Sequence, residues 1–194
     1  MSVESAGRRG VFTAVVLAAA LTASCAGFSA YKYRQFYSMV SPVKNSDGHY
    51  EDGGLSFQFE VLEKKIRVLI SNSGDAPVEV EWPDAKFIDQ DGAKHEVANL
   101  QTLLTKNQSK IRPTNIPAGG TEENVIVPAD RQEPLEQWTW YIRPFFNQVD
   151  DGALNNLGKT IGVLLPVKVG GEERRYSFEF KVTSVIPYQG RTPG

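Results

Sequence analysis

Residues 161–182 read IGVLLPVKVGGEERRYSFEFKV. In the first arm Ile161, Val163, Leu165, Val167 and Val169 take every second place. In the second arm Tyr176, Phe178, Phe180 and Val182 do the same, with Ser177, Glu179, Lys181 and Thr183 filling the places between and after them. Successive side chains of a strand point to opposite faces, so each arm presents one apolar face. Gly170-Gly171 separates the arms, and both residues tolerate the positive φ that a two-residue hairpin turn requires. The stretch predicts an antiparallel hairpin with one buried side.

The same period of two recurs upstream. Leu55, Phe57, Phe59 and Val61 alternate with Ser56, Gln58 and Glu60, and Ile66, Val68 and Ile70 alternate with Arg67, Leu69 and Ser71. After the turn cluster Asn72-Ser73-Gly74-Asp75, Val78, Val80 and Trp82 oppose Glu79 and Glu81 until Pro83, which has no N–H for a ladder bond. Asp91-Gly92 lies between Phe87–Gln90 and Lys94–Val97, a hairpin signal. Pro117–Gly120 reads as a turn, and Asn124–Val127 as a strand ended by Pro128. Trp138, Trp140 and Ile142 alternate with Thr139, Tyr141 and Arg143. Leu100–Thr114 reads as a loop or short helix, and Phe145–Gly158 as irregular. Eight or nine short strands without a strong helix pattern imply an all-β fold, expected as an antiparallel sandwich over residues 55–186. Residues 187–194 are expected as a flexible tail. The Ile66–Trp82 stretch, with Asn72-Ser73-Gly74 closing one strand and Pro77 opening the next, resembles Ig-like export domains. That resemblance implies an Ig-like β-sandwich and carries no activity.

The N-terminus carries an address. Arg8 and Arg9 precede an uncharged aliphatic run, Val11–Ala23, which ends in Leu21-Thr22-Ala23-Ser24-Cys25. A basic region, a short apolar core and small residues before a cut are the parts of an export signal. The run is shorter than the roughly 20 residues a membrane-crossing helix needs. The segment resembles the bacterial lipoprotein signal family, with Leu21 one place further from the cysteine than is usual and Thr22 where leucine is common. The resemblance implies a signal peptide over residues 1–24, a diacylglyceryl thioether on Cys25 and a new N-terminus there, with residues 25–54 as lipidated N-terminus and tether. By the family's sorting rule, Ala26 after the cysteine implies the outer membrane, facing the periplasm. Ordinary secretion with cleavage near Ala30 and an uncleaved anchor are the alternatives. Within the tether, aromatic residues Tyr31, Tyr33, Phe36 and Tyr37 suit either a collar at the membrane interface or a segment packed on the domain.

Residues 25–194 carry 19 basic and 22 acidic side chains, a net charge near −3. That is no electrostatic footprint for nucleic acid. Cys25 is the only cysteine, so the core must be held by apolar burial rather than by a disulfide within the chain.

Little in the sequence points to chemistry. His49 and His95 are the only imidazoles, and neither has a partner at metal-ligand spacing, so both are expected as solvated surface residues with no metal and no cofactor. No serine sits in a nucleophile elbow, and no catalytic residue is assigned. The adjacent pairs Asp150-Asp151, Glu122-Glu123 and Glu172-Glu173 read as solvated; on a strand, neighbours point to opposite faces. Tyr141, Arg143, Phe145 and Phe146 lie in the most aromatic stretch and form the candidate partner-binding set. The leading expectation is a lipid-anchored, non-enzymatic domain that binds or braces an envelope protein or glycan. Its rivals are a small envelope hydrolase or carbohydrate-active protein using Asp89, Asp91, Asp150 and Asp151, and an assembly subunit with an uncovered sheet edge.

Overall fold

The computed structural model describes residues 31–103, 111–136 and 139–188. Cys25, the segment expected as an export signal and Trp138 therefore lie outside the described residues, as does the polar centre of the stretch 100–114. The described strands are β1 (Tyr33–Ser41), β2 (His49–Asp52), β3 (Leu55–Val61), β4 (Ile66–Asn72), β5 (Val78–Val80), β6 (Lys86–Ile88), β7 (Lys94–Ala98), β8 (Thr114–Ile116), β9 (Thr121–Pro128), β10 (Gln132–Glu136), β11 (Thr139–Ile142), β12 (Thr160–Val169) and β13 (Glu172–Pro187). Short 3-10 turns occupy Trp82–Asp84, Ala129–Arg131 and Asp151–Asn156.

The closing hairpin forms as its pattern requires. Ile161 pairs with Phe180, Val163 with Phe178 and Leu165 with Tyr176, and these side chains are all buried. Gly170 and Gly171 take φ of 58° and 91°, the left-handed values that let two residues reverse the chain. Pro166 is tolerated inside β12 because it lies where that strand changes neighbours, from β6 at Gly162–Leu164 to β5 at Val167–Val169. The Asp-Gly turn also forms: Asp89 Oδ1 accepts the amides of Asp91 and Ala93 and fastens β6 to β7.

The strands do not separate into two sheets. They run in the order β1-β13-β12-β6-β7-β9-β4-β3-β2, a nearly closed nine-strand antiparallel barrel, with β5 and β8 added beside β12 and a separate β10–β11 hairpin. The expected sandwich is corrected here, and two elements explain why. β7 pairs with β6 through Lys94–Glu96 and with β9 through Val97–Ala98, so it joins what would otherwise be two sheets. β13 is 16 residues long and pairs with β12 by its first part and with β1 by its second.

The interior is filled by rings. Phe57 and Phe59 of β3 meet Tyr176, Phe178 and Phe180 of β13, with the Phe59–Phe178 centroids 4.5 Å apart and Phe57–Tyr176 4.9 Å apart. β3 and β13 share no backbone ladder, so these contacts span the barrel. Burying each such side chain contributes about 1.5–3 kcal/mol, and the tilted pairs add to it. Trp82, fully buried at the turn after β5, gives its indole N–H to Thr114 Oγ1 at 3.0 Å. Asn72 ends β4 and is also buried. Its Nδ2 donates to the carbonyls of Ala76, Ile116 and Pro117, and its Oδ1 accepts the Gly74 amide.

Two strands fall inside the 25–54 segment read as a tether. β1 pairs with β13 from Tyr33 against Pro187 to Ser41 against Glu179, and β2 pairs with β3. Of the expected tail, Pro187 belongs to β13, and the Tyr188 amide donates to Lys32 O while the Arg34 guanidinium lies over its ring, 4.3 Å from the centroid.

Truncating Phe178 to alanine opens a cavity between β3 and β13, and Phe178→Ala is expected to lower stability by about 3–5 kcal/mol in urea unfolding. A loss below about 1 kcal/mol would mean that the rings do not span the barrel.

Candidate functional site

The barrel stays open between β1 and β3. β1 has β13 on one side, and on the other only a single bridge from Met39 to Asn45 among the described residues. β3 has β4 on one side, while β2 covers the other only from Leu55 to Gln58. The turn joining β1 to β2 closes one end of the gap: Gly48 O accepts the Phe59 amide at 2.9 Å. This approach demands glycine, since Gly48 has φ of 72° and a Cβ there would collide with Phe59 O. At the other end Gln148 O accepts the amides of Lys32 and Tyr33, tying the start of β1 to the loop before the Asp151–Asn156 turn.

Between these two closures lies a cleft of about 630 Å³, lined from β1 by Arg34, Gln35, Phe36 and Tyr37 and from β3 by Phe59, Glu60 and Val61. This volume falls in the range of small-ligand sites. Its floor is apolar, with Met39, Phe59 and Phe180 buried. Its polar groups are poorly satisfied. Gln148 is fully buried, and neither atom of its side-chain amide has a hydrogen-bond partner among the described residues; Gln35 Nε2 is buried without one as well. Tyr37 donates to Gln35 Oε1 at 3.1 Å. Burial, and then the nearby Glu63 carboxylate, push the Tyr37 phenol well above its ordinary range, so it is held as a neutral donor. Glu63 is half-buried and forms no ion pair with another described residue. An apolar floor beside incompletely bonded amides and a half-buried carboxylate without an ion pair suits binding.

The four candidate partner residues are not brought together on one surface. Tyr141 is exposed, with Lys64 Nζ 4.8 Å from its ring centroid. Arg143 is spent locally, bonding Glu133 at 2.8 Å and the Asp130 carbonyl at 2.9 Å. Phe145 and Phe146 are core residues: Phe145 stacks on Phe87 at 5.0 Å, and Phe146 packs behind Tyr37 at 6.4 Å. None of this set lines the cleft, and Phe146 relates to it only by packing on Tyr37.

Three of the four loop carboxylates are each engaged by neighbouring groups. Asp150 accepts from the Gly152 amide and from Asn147 Nδ2, both at 2.8 Å, and Asp151 accepts from the Tyr33 hydroxyl at 2.6 Å. Burial pushes the Asp89 carboxyl up, but the His95 hydrogen bond and the amides of Ala93 and Asp91 outweigh it, and the group sits below its ordinary value. Among the described residues no group of three His, Cys, Asp or Glu is placed to hold a metal ion.

His95 is not the solvated residue its sequence neighbours suggest. Its Nε2 lies 2.9 Å from Asp89 and its Nδ1 3.1 Å from Asp130, which pins the β6–β7 hairpin to the Ala129–Arg131 turn. With a carboxylate at each nitrogen, the ring faces no open position as a base. The sequence held the signal: the Asp-Gly turn sets His95 opposite Phe87, so Asp89 is its diagonal neighbour on the same face. His49 conforms to expectation at the surface, bonded to Glu51 at 3.0 Å.

No family model, curated protein or solved structure matches the chain.

An unpaired buried amide costs about 1–3 kcal/mol, so Gln148→Met, which keeps the shape and removes the polar atoms, is expected to raise stability by about 1 kcal/mol or more. A drop in the urea midpoint at unchanged slope would show instead that the Gln148 amide is satisfied in the folded chain.

Proposed function

We propose that the chain is a lipid-anchored protein of the bacterial envelope whose non-enzymatic β domain binds or braces another envelope component. The observation that supports this most is the open seam, which combines two incompletely covered strand edges with buried amide groups that make no hydrogen bond to a described residue. Groups kept at the expense of stability mark binding sites. The engaged states of Asp89, Asp150, Asp151 and His95 favour this reading over the hydrolase.

Anchoring would make weak contacts sufficient. Cys25 lies seven residues before Lys32, whose amide is fixed on Gln148 O. An extended chain spans at most about 3.6 Å per residue, so an acylated Cys25 would hold this end of the barrel within about 25 Å of the bilayer. Confinement to so thin a layer raises the effective concentration of any partner sharing it.

The test places a photocrosslinking phenylalanine analogue at Phe36, on the lip of the seam, or at Leu100, exposed in the Asn99–Leu103 turn, in intact cells. Phe36 is expected to capture one defined envelope component and Leu100 none, with the yield falling in the Cys25→Ala background. Capture at neither position, or equal capture at both, would contradict a partner held at the seam. Unchanged membrane association of Cys25→Ala would contradict the lipid anchor.

A further inference from the structure

The seam is bordered by backbone as well as by side chains. Met39 O accepts the Asn45 amide and so points away from β13. From Tyr37 to Met39 the pairing with β13 is regular, against Val182, Lys181 and Phe180, so Tyr37, two residues before Met39, turns its own N–H and C=O to the same open side. On the facing strand the Phe59 amide points to Gly48 O. By the same alternation Val61 turns its N–H and C=O towards the seam, beyond the end of β2 at its pairing of His49 with Gln58. Two edges of opposite strands thus face one cleft, each with a donor and an acceptor aimed into it. An open edge is a template for another strand, and barrels otherwise lose their edges by closure.

We infer that the seam takes an extended peptide segment of a partner protein, which pairs with Tyr37 on one side and Val61 on the other and closes the barrel as an added strand. This inference rests on the binding reading above and names the chemistry of the ligand. Main-chain groups supply affinity in strand addition, and alternate side chains supply specificity. Side chains pointing inward would meet Met39, Phe59 and Phe180, which favours aliphatic residues. Arg34 is engaged over Tyr188, and Glu60 is paired with Arg67 at 2.8 Å. Asp47, also at the cleft, is exposed and accepts the His49 amide, whereas Glu63 is half-buried without an ion pair to a described residue, which favours a lysine or arginine at that end of the segment. The Gln148 amide and Gln35 Nε2, which have no partner among the described residues, complement the peptide groups at the same mouth.

The probe is the acetylated, amidated pentapeptide Val-Lys-Val-Thr-Val, titrated into the 15N-labelled full-length protein in detergent micelles. Saturable shifts are expected at the amides of Tyr37 and Val61, while the amide of Phe178, in the barrel wall, should stay still. N-methylation of the peptide at alternate residues should weaken binding by about tenfold or more, since each methyl group removes a main-chain donor. Replacing the peptide lysine by glutamate should weaken binding about two- to fivefold, and Glu63→Gln should remove that preference. Absence of saturation at millimolar peptide, shifts centred elsewhere, or equal binding of the N-methylated peptide would overturn the inference. So would shifts at Tyr37 and Val61 that track protein concentration alone, because a second copy would then fill the seam. Failure here alongside capture at Phe36 in cells would leave a binding domain whose ligand is not a strand.

Discussion

Phe59 on β3 and Phe178 on β13 meet ring to ring, 4.5 Å between centroids, across an interior that no ladder of backbone bonds crosses. Everything else in the domain accommodates that contact. The sheet must curl far enough to bring its third and thirteenth strands face to face, and β7 and the long β13 carry it around the two bends. Phe57, Tyr176 and Phe180 extend the contact into a continuous aromatic filling. With no disulfide available to a chain with one cysteine, apolar burial is what holds the curled sheet together.

The strands were legible because burial on one face writes a period of two into the chain. Leu55–Val61, Ile66–Asn72 and the closing hairpin could be read residue by residue, as could the turns at Asp91-Gly92 and Gly170-Gly171. The closure of the sheet was not legible, since the inner face of a sandwich and that of a barrel carry the same alternation. What separates them is which strand pairs with which, and that depends on Val97 and Ala98 reaching Pro128 and Val127. β1 was hidden for a different reason. Its inward series is Tyr33, Gln35, Tyr37 and Met39, and the glutamine interrupts the apolar pattern at the place where the cleft needs an amide. The residue that obscures the strand belongs to the site.

The candidate site was less legible than the fold. The aromatic density around Tyr141 is a pattern shared by cores and interfaces, and Phe145 and Phe146 are spent on the core. The cleft is built from Gln35, Tyr37, Glu63 and Gln148, which are far apart in sequence and individually ordinary. Only the missing strand pairing brings them to one opening. An uncovered sheet edge lies between an incompletely covered β3 and a β1 with a strand partner on one side.

Amide hydrogen exchange read residue by residue on the full-length protein tests the open seam most directly. Ser38 and Glu60 turn their amides towards β13 and β4, whereas Tyr37 and Val61 turn theirs to the gap. An open seam predicts slow exchange at Ser38 and Glu60 and fast exchange at Tyr37 and Val61. Protection at Tyr37 and Val61 equal to that of Phe178 would mean that the barrel is closed, and the site with it.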